Sequence, residues 1–172
     1  MTLYEATRDL HHACEVHAVG QQMTSGAVTR QEWADWLAAF RALHAVVDAA
    51  LPAHMSRDAA LAADLAMLPR PHVSPAAQRF AAELAAAEET GGAAYVLHGA
   101  HRSGGRVLAP IMAKRGLPTH HVVYADPDAV QEIVRGWRER FEWAEQARAT
   151  FGCLLGVMDE IEERTRAADV LV

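Results

Sequence analysis

The stretch TLYEATRDLHHACEV, residues 2–16, indicates the fold class because local rules alone predict an amphipathic α-helix there. Thr2 is a helix-capping residue, and Glu5 three positions later completes the pattern of a capping box. Apolar residues then recur every three or four positions, as on one face of a helix; they are Leu3, Ala6, Leu10, Ala13 and Val16. The stretch therefore predicts a helix that begins at Thr2 or Leu3 and buries one face.

The remaining sequence repeats this helical pattern. After a break at Ser25 and Gly26, Thr29 and Glu32 form a second capping box. The apolar face that follows ends before Pro52 and consists of Trp33, Trp36, Leu37, Phe40, Leu43, Val47 and Leu51. Further helical regions are expected at residues 57–67, 74–88, 93–113 and 134–158, the last as one bent helix or two abutting ones. Residues 117–127 are expected to be a loop with room for a brief extended piece at 121–124. The sequence thus predicts one all-α domain over residues 1–172, a bundle of about six or seven helices.

Composition excludes several classes of protein. The formal net charge of −6 gives no overall basic field to attract nucleic acid. The two cysteines fit neither a disulfide framework nor a zinc-finger spacing. No apolar run is long enough to span a membrane, and the N-terminal stretch has no apolar signal-peptide core. We therefore expect a cytoplasmic protein that binds neither a membrane nor nucleic acid.

The segment YVLHGAHRSGGRV, residues 95–107, is unusual because its glycines disfavour the helix that surrounds them. Each glycine in a helix interior costs about 1 kcal/mol relative to alanine. One interpretation is a loop, or a helix whose glycines let two helices pack closely. Another is that the missing Cβ atoms let the backbone lie directly against a large, flat ligand. The sequence leaves both interpretations open, while the absence of a GxxxxGK[ST] pattern excludes a phosphate-binding P-loop.

Histidines are frequent, and those of the first helix have an informative spacing. His11 and Glu15 are four residues apart and share one face, whereas His12 points about 100° away. Such a face can provide an axial heme ligand with a supporting carboxylate, or half of a carboxylate–histidine metal site. It can equally belong to a surface helix that is rich in histidine. The other histidines are scattered and are expected to be mostly solvated or structural; they are His44, His54, His72, His98, His101, His120 and His121.

The run LYEATRDLH, residues 3–11, followed by Glu15, resembles the proximal helix of the biliverdin-forming heme oxygenases. Residues 26–30, which lead into Trp33, look like the turn between that family's first two helices. Residues 95–99 and 103–108 are similar to its distal helix, which bends at glycines over the other heme face. The resemblance spans nearly the whole chain, and the motif of the first helix is its most specific part.

The resemblance implies an enzyme that opens heme with dioxygen and external electrons, giving biliverdin, iron and carbon monoxide. It implies that His11 is the iron ligand and that Glu15 orients it. A ferredoxin or flavin reductase would donate the electrons. Gly99 and Gly104 would take part in catalysis by letting the distal backbone approach heme. The remaining heme contacts implied are Gly105, Phe151 and two basic residues for the propionates, Arg8 and Arg135.

The chain departs from the family pattern in the glycine-rich segment. One residue more than usual separates Gly99 from the Gly104–Gly105 pair, and Ala100 replaces a polar residue. An extra residue rotates the rest of a helix by about 100° unless a π-bulge absorbs it. His98 or His101 could then become a second axial ligand, which would give a protein of the same fold that binds heme or another tetrapyrrole without degrading it. A non-heme diiron enzyme is a further alternative, although the repeated Glu-x-x-His motifs of such bundles are missing.

Overall fold

A computed structural model describes residues 1–170 of the chain, so the last two residues of the predicted domain lie outside the described part. The described residues form nine α-helices and no β-strand, which confirms the all-α prediction. The helices are α1 (Leu3–Val16), α2 (Ala18–Ser25), α3 (Arg30–Val47), α4 (Asp58–Ala66), α5 (Pro75–Ala86), α6 (Gly91–Gly99), α7 (Gly105–Lys114), α8 (Pro127–Trp137) and α9 (Ala144–Asp169). None of the helices described is long and apolar enough to cross a membrane.

Both predicted capping boxes are present. The Thr2 hydroxyl accepts from the Glu5 N–H at the start of α1, while Glu5 accepts from the Thr2 N–H. Thr29 and Glu32 make the same reciprocal pair at the start of α3. These bonds satisfy backbone donors that a helix N-terminus otherwise leaves unpaired, so short-range sequence rules were sufficient to place both helices.

The number of helices exceeds the six or seven predicted, because two regions that were each expected to be one helix divide. The first helix breaks at His17, whose Nδ1 accepts from the Val19 N–H and caps α2. The region at 93–113 divides where residues Ala100–Gly104 form a π-helical turn. The last region is two helices separated by a 3₁₀ turn, Phe141–Trp143, as the second of its two predicted alternatives had it. The extended piece expected within residues 121–124 is wrong for His121 and Val122, which belong to a 3₁₀ turn, His120–Val122, whereas Val123 after the turn is extended.

The core lies between α9 and the helices that surround it. α9 packs against α1, α3, α5 and α6, and α3 packs in turn against α4 and α5. The side chains between them are aromatic and aliphatic, with Trp33, Leu37, Leu43, Leu97 and Ile161 almost completely buried. This packing fixes α1 and the α6–α7 segment relative to each other, and a cavity remains between them.

Gly91 and Gly92 form the first turn of α6, so this helix begins two residues before the helical region expected from residue 93. The Gly92 and Ala93 N–H groups donate to Oε1 of Gln146, at 2.9 and 3.2 Å, so a side chain from α9 caps this helix. A Cβ on Gly92 would lie 2.6 Å from the carbonyl oxygen of Trp143, which explains the glycine. The start of α6 is therefore set by its close approach to α9.

Candidate functional site: a cavity between the first helix and the glycine-rich segment

A cavity of about 440 Å³ lies between α1 and the glycine-rich segment, a size typical of small-molecule sites. Much of its wall is apolar. Apolar side chains from α3, α6, α7 and α9 contribute to it, among them Trp36, Phe40, Val96, Leu108, Phe151 and Leu154. His11, Glu15, Gly99, Gly104 and Gly105 also line it. The fold thus brings together most of the site residues that the sequence singled out.

His11 lies on α1 with its side chain about half exposed, at 52%. Its Nδ1 faces Oε1 of Glu15 at 3.6 Å, and the edge of its ring meets Phe151 with the ring centroids 5.9 Å apart. Glu15 is approached from its other oxygen by Nδ1 of His12, at 3.7 Å. With Nδ1 turned toward the carboxylate, Nε2 is the nitrogen of His11 that remains for a ligand.

Cys14 also lines the cavity, on the same helix. Burial and, to a smaller extent, the charge of Glu15 raise the pKa of its thiol to about 11. The thiol is therefore protonated at neutral pH, and a protonated thiol is a poor metal ligand. Between these two side chains, the imidazole of His11 is the stronger candidate for a metal ligand.

The glycine-rich segment contains the π-helical turn that an extra residue requires. The Gly105 N–H donates to the Ala100 carbonyl, five residues earlier, instead of the usual four. The extra residue is thereby absorbed, and Gly99 and Gly104 both line the cavity. A Cβ added to either glycine would meet nothing within 4 Å, so both face open space. This is the arrangement expected if the backbone lies against a flat ligand.

Gly105 fits the other interpretation of the glycines, close packing. A Cβ there would lie 2.5 Å from Cγ1 of Val122, in the 3₁₀ turn that packs against this segment. We expect Gly105→Ala to destabilise the fold by about 1–3 kcal/mol through overpacking. Gly104→Ala is the matched control, because its Cβ enters open space. Urea unfolding of the two variants checks this, and equal stabilities would contradict the packing role of Gly105.

The basic residues at the cavity differ from those expected. Neither Arg8 nor Arg135 is among the lining residues, and both are exposed. Arg102 and Arg138 line the cavity instead. Arg102 donates to Oε1 of Gln131 at 3.3 Å, while its buried Nε has no hydrogen-bond partner among residues 1–170. An unpaired buried donor beside a cavity is a place where an anionic group of a ligand would be stabilised.

A buried polar cluster, which was not predicted from the sequence, lies behind the cavity wall. His101 lines the cavity, and its Nε2 lies 2.8 Å from Nε2 of His44. Nδ1 of His44 and Nε2 of His98 both meet Oδ1 of Asp48, at 2.9 and 3.1 Å. His98 is also bonded through Nδ1 to the Tyr124 hydroxyl at 2.8 Å, so both of its nitrogens are engaged. Of His98 and His101, the two histidines in the glycine-rich segment, His101 is therefore the one that can meet a ligand.

A second pair of histidines shares one buried carboxylate. His121 lines the cavity, and its Nδ1 donates to Oδ2 of Asp64 at 2.6 Å. His120, which is exposed, donates from Nδ1 to Oδ1 of Asp64 at 2.5 Å. Burial opposes ionisation of Asp64, but the bonds from these two histidines outweigh it and lower the pKa of its carboxyl. Asp64 thus fixes the loop that forms one wall of the cavity.

These features define a class of fold, an all-α bundle with a ligand cavity between its first helix and a bent, glycine-rich helical segment. A solved structure with this architecture is the heme complex of heme oxygenase-1 from the cyanobacterium Synechocystis sp. PCC6803. The TM-score is 0.74 with 16% sequence identity, over 98% of this chain and 95% of that chain. No protein-family model and no curated protein matches the sequence. The chain therefore has the all-helical heme oxygenase fold.

Proposed function

We propose that this protein is a heme oxygenase, which binds heme in the cavity and cleaves it to biliverdin, iron and carbon monoxide. The observation that carries the proposal is that His11 and the two open glycines, Gly99 and Gly104, line one cavity. A single imidazole from α1 and a bare backbone from the bent segment suit a planar ligand with a metal centre. The structural likeness to a heme complex supports the same ligand.

His11 would hold the iron through Nε2. Glu15 would accept from Nδ1–H and fix the tautomer, which also makes the imidazole a better donor to iron. Phe151 limits rotation of the ring through its edge contact. All three residues are among those that the resemblance implied.

Arg102 and Arg138 would bind the heme carboxylates, with the unpaired Nε of Arg102 as one donor. They would take the role first expected of Arg8 and Arg135, which do not line the cavity. The aromatic wall formed by Trp36 and Phe40 would exclude water from the macrocycle. These contacts position heme; heme itself, when bound, supplies the iron that activates dioxygen and the carbon atoms that are oxidised.

Addition of hemin to the purified protein tests both binding and turnover. We expect a Soret band that saturates at one heme per chain and, with a ferredoxin or flavin reductase in air, decays to a biliverdin spectrum with release of carbon monoxide. Catalase is included so that peroxide formed in solution cannot degrade the heme. A stable complex that never decays would replace this proposal with heme binding alone, and no saturable band would overturn both.

A further inference from the structure

Three potential metal ligands converge in the core, where the last turn of α3 packs against α6. They are Nδ1 of His44, Oδ1 of Asp48 and Nε2 of His98, and the three atoms lie within 4.8 Å of one another. Both histidines are fully buried, and the Asp48 side chain is 7% exposed. The fold has thus assembled a set of two imidazoles and one carboxylate that is enclosed by the core.

The spacing of these atoms suits a small divalent cation. Ligands bound at about 2.0 Å around a tetrahedral ion lie roughly 3.3 Å from one another. Oδ1 of Asp48 is 2.9 Å from Nδ1 of His44 and 3.1 Å from Nε2 of His98. The two imidazole rings are nearly perpendicular, at 83°, with their centroids 5.0 Å apart, so the rings do not block each other. A slight expansion of the cluster would therefore admit an ion between the three atoms.

Both histidines are also held through their other nitrogen, as metal-binding histidines in proteins almost always are. Nδ1 of His98 lies 2.8 Å from the Tyr124 hydroxyl. Nε2 of His44 lies 2.8 Å from Nε2 of His101. These contacts orient both rings and use only the nitrogens that an ion would not need.

Arg57 affects the site in two opposing ways. Its backbone N–H donates to Oδ2 of Asp48 at 2.7 Å, which leaves Oδ1 for the ion. Its guanidinium is a nearby positive charge, which weakens the binding of any cation. That group donates to the carbonyl oxygens of Met55 and Val123 and lies over the Tyr124 ring, with Cζ 3.9 Å from the ring centroid. Because the guanidinium has these partners, the carboxylate of Asp48 can serve as a ligand.

We propose that His44, Asp48 and His98 bind one divalent transition-metal ion. Imidazole ligands suit Zn²⁺ or Fe²⁺, whereas Ca²⁺ and Mg²⁺ take oxygen ligands. Three protein ligands leave a further position for water or a small anion. The ion would tie the end of α3 to α6, behind the cavity wall formed by the glycine-rich segment. The site does not depend on heme, so it goes beyond the proposed function and is tested in the heme-free protein.

Binding of the ion would move three ring protons. Without the ion, an ionised Asp48 accepts from Nδ1–H of His44 and from Nε2–H of His98. The ion would take the lone pairs of these two nitrogens, so His44 would carry its proton on Nε2 and His98 on Nδ1. Nε2–H of His44 would then donate to His101, whose own proton would lie on Nδ1. The number of protons is unchanged, but each ring adopts its other tautomer.

A second cluster of possible ligands, at the surface, serves as an internal control. His17, Asp159 and Glu162 also place three ligand atoms within 4.8 Å of one another. Nδ1 of His17 accepts from the Val19 N–H, so the neutral ring carries its proton on Nε2, the atom that faces the two carboxylates. An ion bound to Nε2 would break this cap of α2. We therefore expect the buried cluster, and not this one, to bind the ion.

A Co²⁺ titration of the heme-free protein, after removal of metal with EDTA, tests the site. We expect a visible absorption band that saturates at one Co²⁺ per chain and is abolished by Zn²⁺ but not by Mg²⁺. Asp48→Asn and Tyr124→Phe preserve the shapes of the side chains and should each weaken binding by about 10-fold to 100-fold or more. Asp159→Asn should bind as the wild type does, and circular dichroism checks the fold of each variant. Absence of a saturable band, or a loss of binding only in Asp159→Asn, would overturn the proposal.

Long-range ¹H–¹⁵N NMR of the histidine rings in the wild type identifies the ligands directly, with Zn²⁺ as the ion. We expect one equivalent of Zn²⁺ to move the proton of His44 from Nδ1 to Nε2, and the protons of His98 and His101 from Nε2 to Nδ1. The exposed ring of His54 should not change. Zn²⁺ that binds without altering the three buried rings would overturn the proposal and leave a cluster held by hydrogen bonds alone. Hemin takes no part in either experiment, so failure here leaves the proposed function standing.

Discussion

Replacing His11 by alanine is expected to weaken hemin binding by about one hundred-fold, which corresponds to about 2.8 kcal/mol. The substitution removes the imidazole that lies at the cavity beside Glu15 and Phe151. The fold should be little affected, because the side chain is about half exposed and is not part of the core. The measurement is a hemin titration followed at the Soret band, with thermal unfolding as the check on folding.

His12→Ala is the matched control for this experiment. His12 is the next residue on α1 and approaches the same carboxylate of Glu15, but it is not among the residues that line the cavity. We expect the control to bind hemin with wild-type affinity. Free imidazole should restore the Soret spectrum of His11→Ala by occupying the space of the lost ring. An unchanged affinity and spectrum in His11→Ala would show that another residue holds the iron.

The parts of the fold that the sequence predicted are those fixed by neighbouring residues. The capping boxes at Thr2 and Thr29 depend only on positions three residues apart, and both are present. The break at His17 was not predicted because it depends on the distant helix α9. Nε2 of His17 meets Asp159 at 3.1 Å while Nδ1 caps α2, so its role needs a residue 142 positions away.

The same distinction applies to the site. His11 and Glu15 share a face by helical spacing, and the extra residue in the glycine-rich segment pointed to the π-helical turn that is present. Which arginine reaches the cavity depends on the rotation and end of α8, and Arg138 lies just beyond that end. The rotation of α8 about its axis is set by its packing in the tertiary structure and not by neighbouring residues in the sequence.

The buried histidine cluster shows what sequence spacing can and cannot indicate. His44 and Asp48 are four residues apart, and His98 and His101 are three apart, so each pair was visible as a possible shared face. Their meeting requires the packing of α3 against α6, which the sequence does not encode locally. A buried carboxylate that serves two histidines is a property of the tertiary structure, and its neighbours in the sequence did not predict that Asp48 would take this role.

Replacing Asp64 by alanine is expected to be strongly destabilising, by about 3–5 kcal/mol, since it removes the acceptor from a buried charged network. Asp64 is fully buried and accepts four hydrogen bonds, from the backbone N–H and ring Nδ1 of both His120 and His121. For a chain of this length the loss corresponds to a fall in Tm of about 6–20 °C. Calorimetry checks this, with the exposed Asp58→Ala on the same helix as control.

The pH dependence of stability distinguishes the contribution of the charge of Asp64 from the contribution of its packing. Its pKa is lowered in the folded protein, so its contribution is fully present above the unfolded pKa and is lost as the pH falls through the folded value. Asp64→Ala should therefore differ most from the wild type near neutral pH, and the difference should shrink in acid. His120 is exposed and can exchange its bond for water, whereas His121 is buried and cannot. Most of the stability lost in Asp64→Ala should accordingly come from the bonds to His121. Hemin binding should weaken as well, because His121 lines the cavity. A difference that is independent of pH would show that packing, and not the ionised carboxylate, holds this wall.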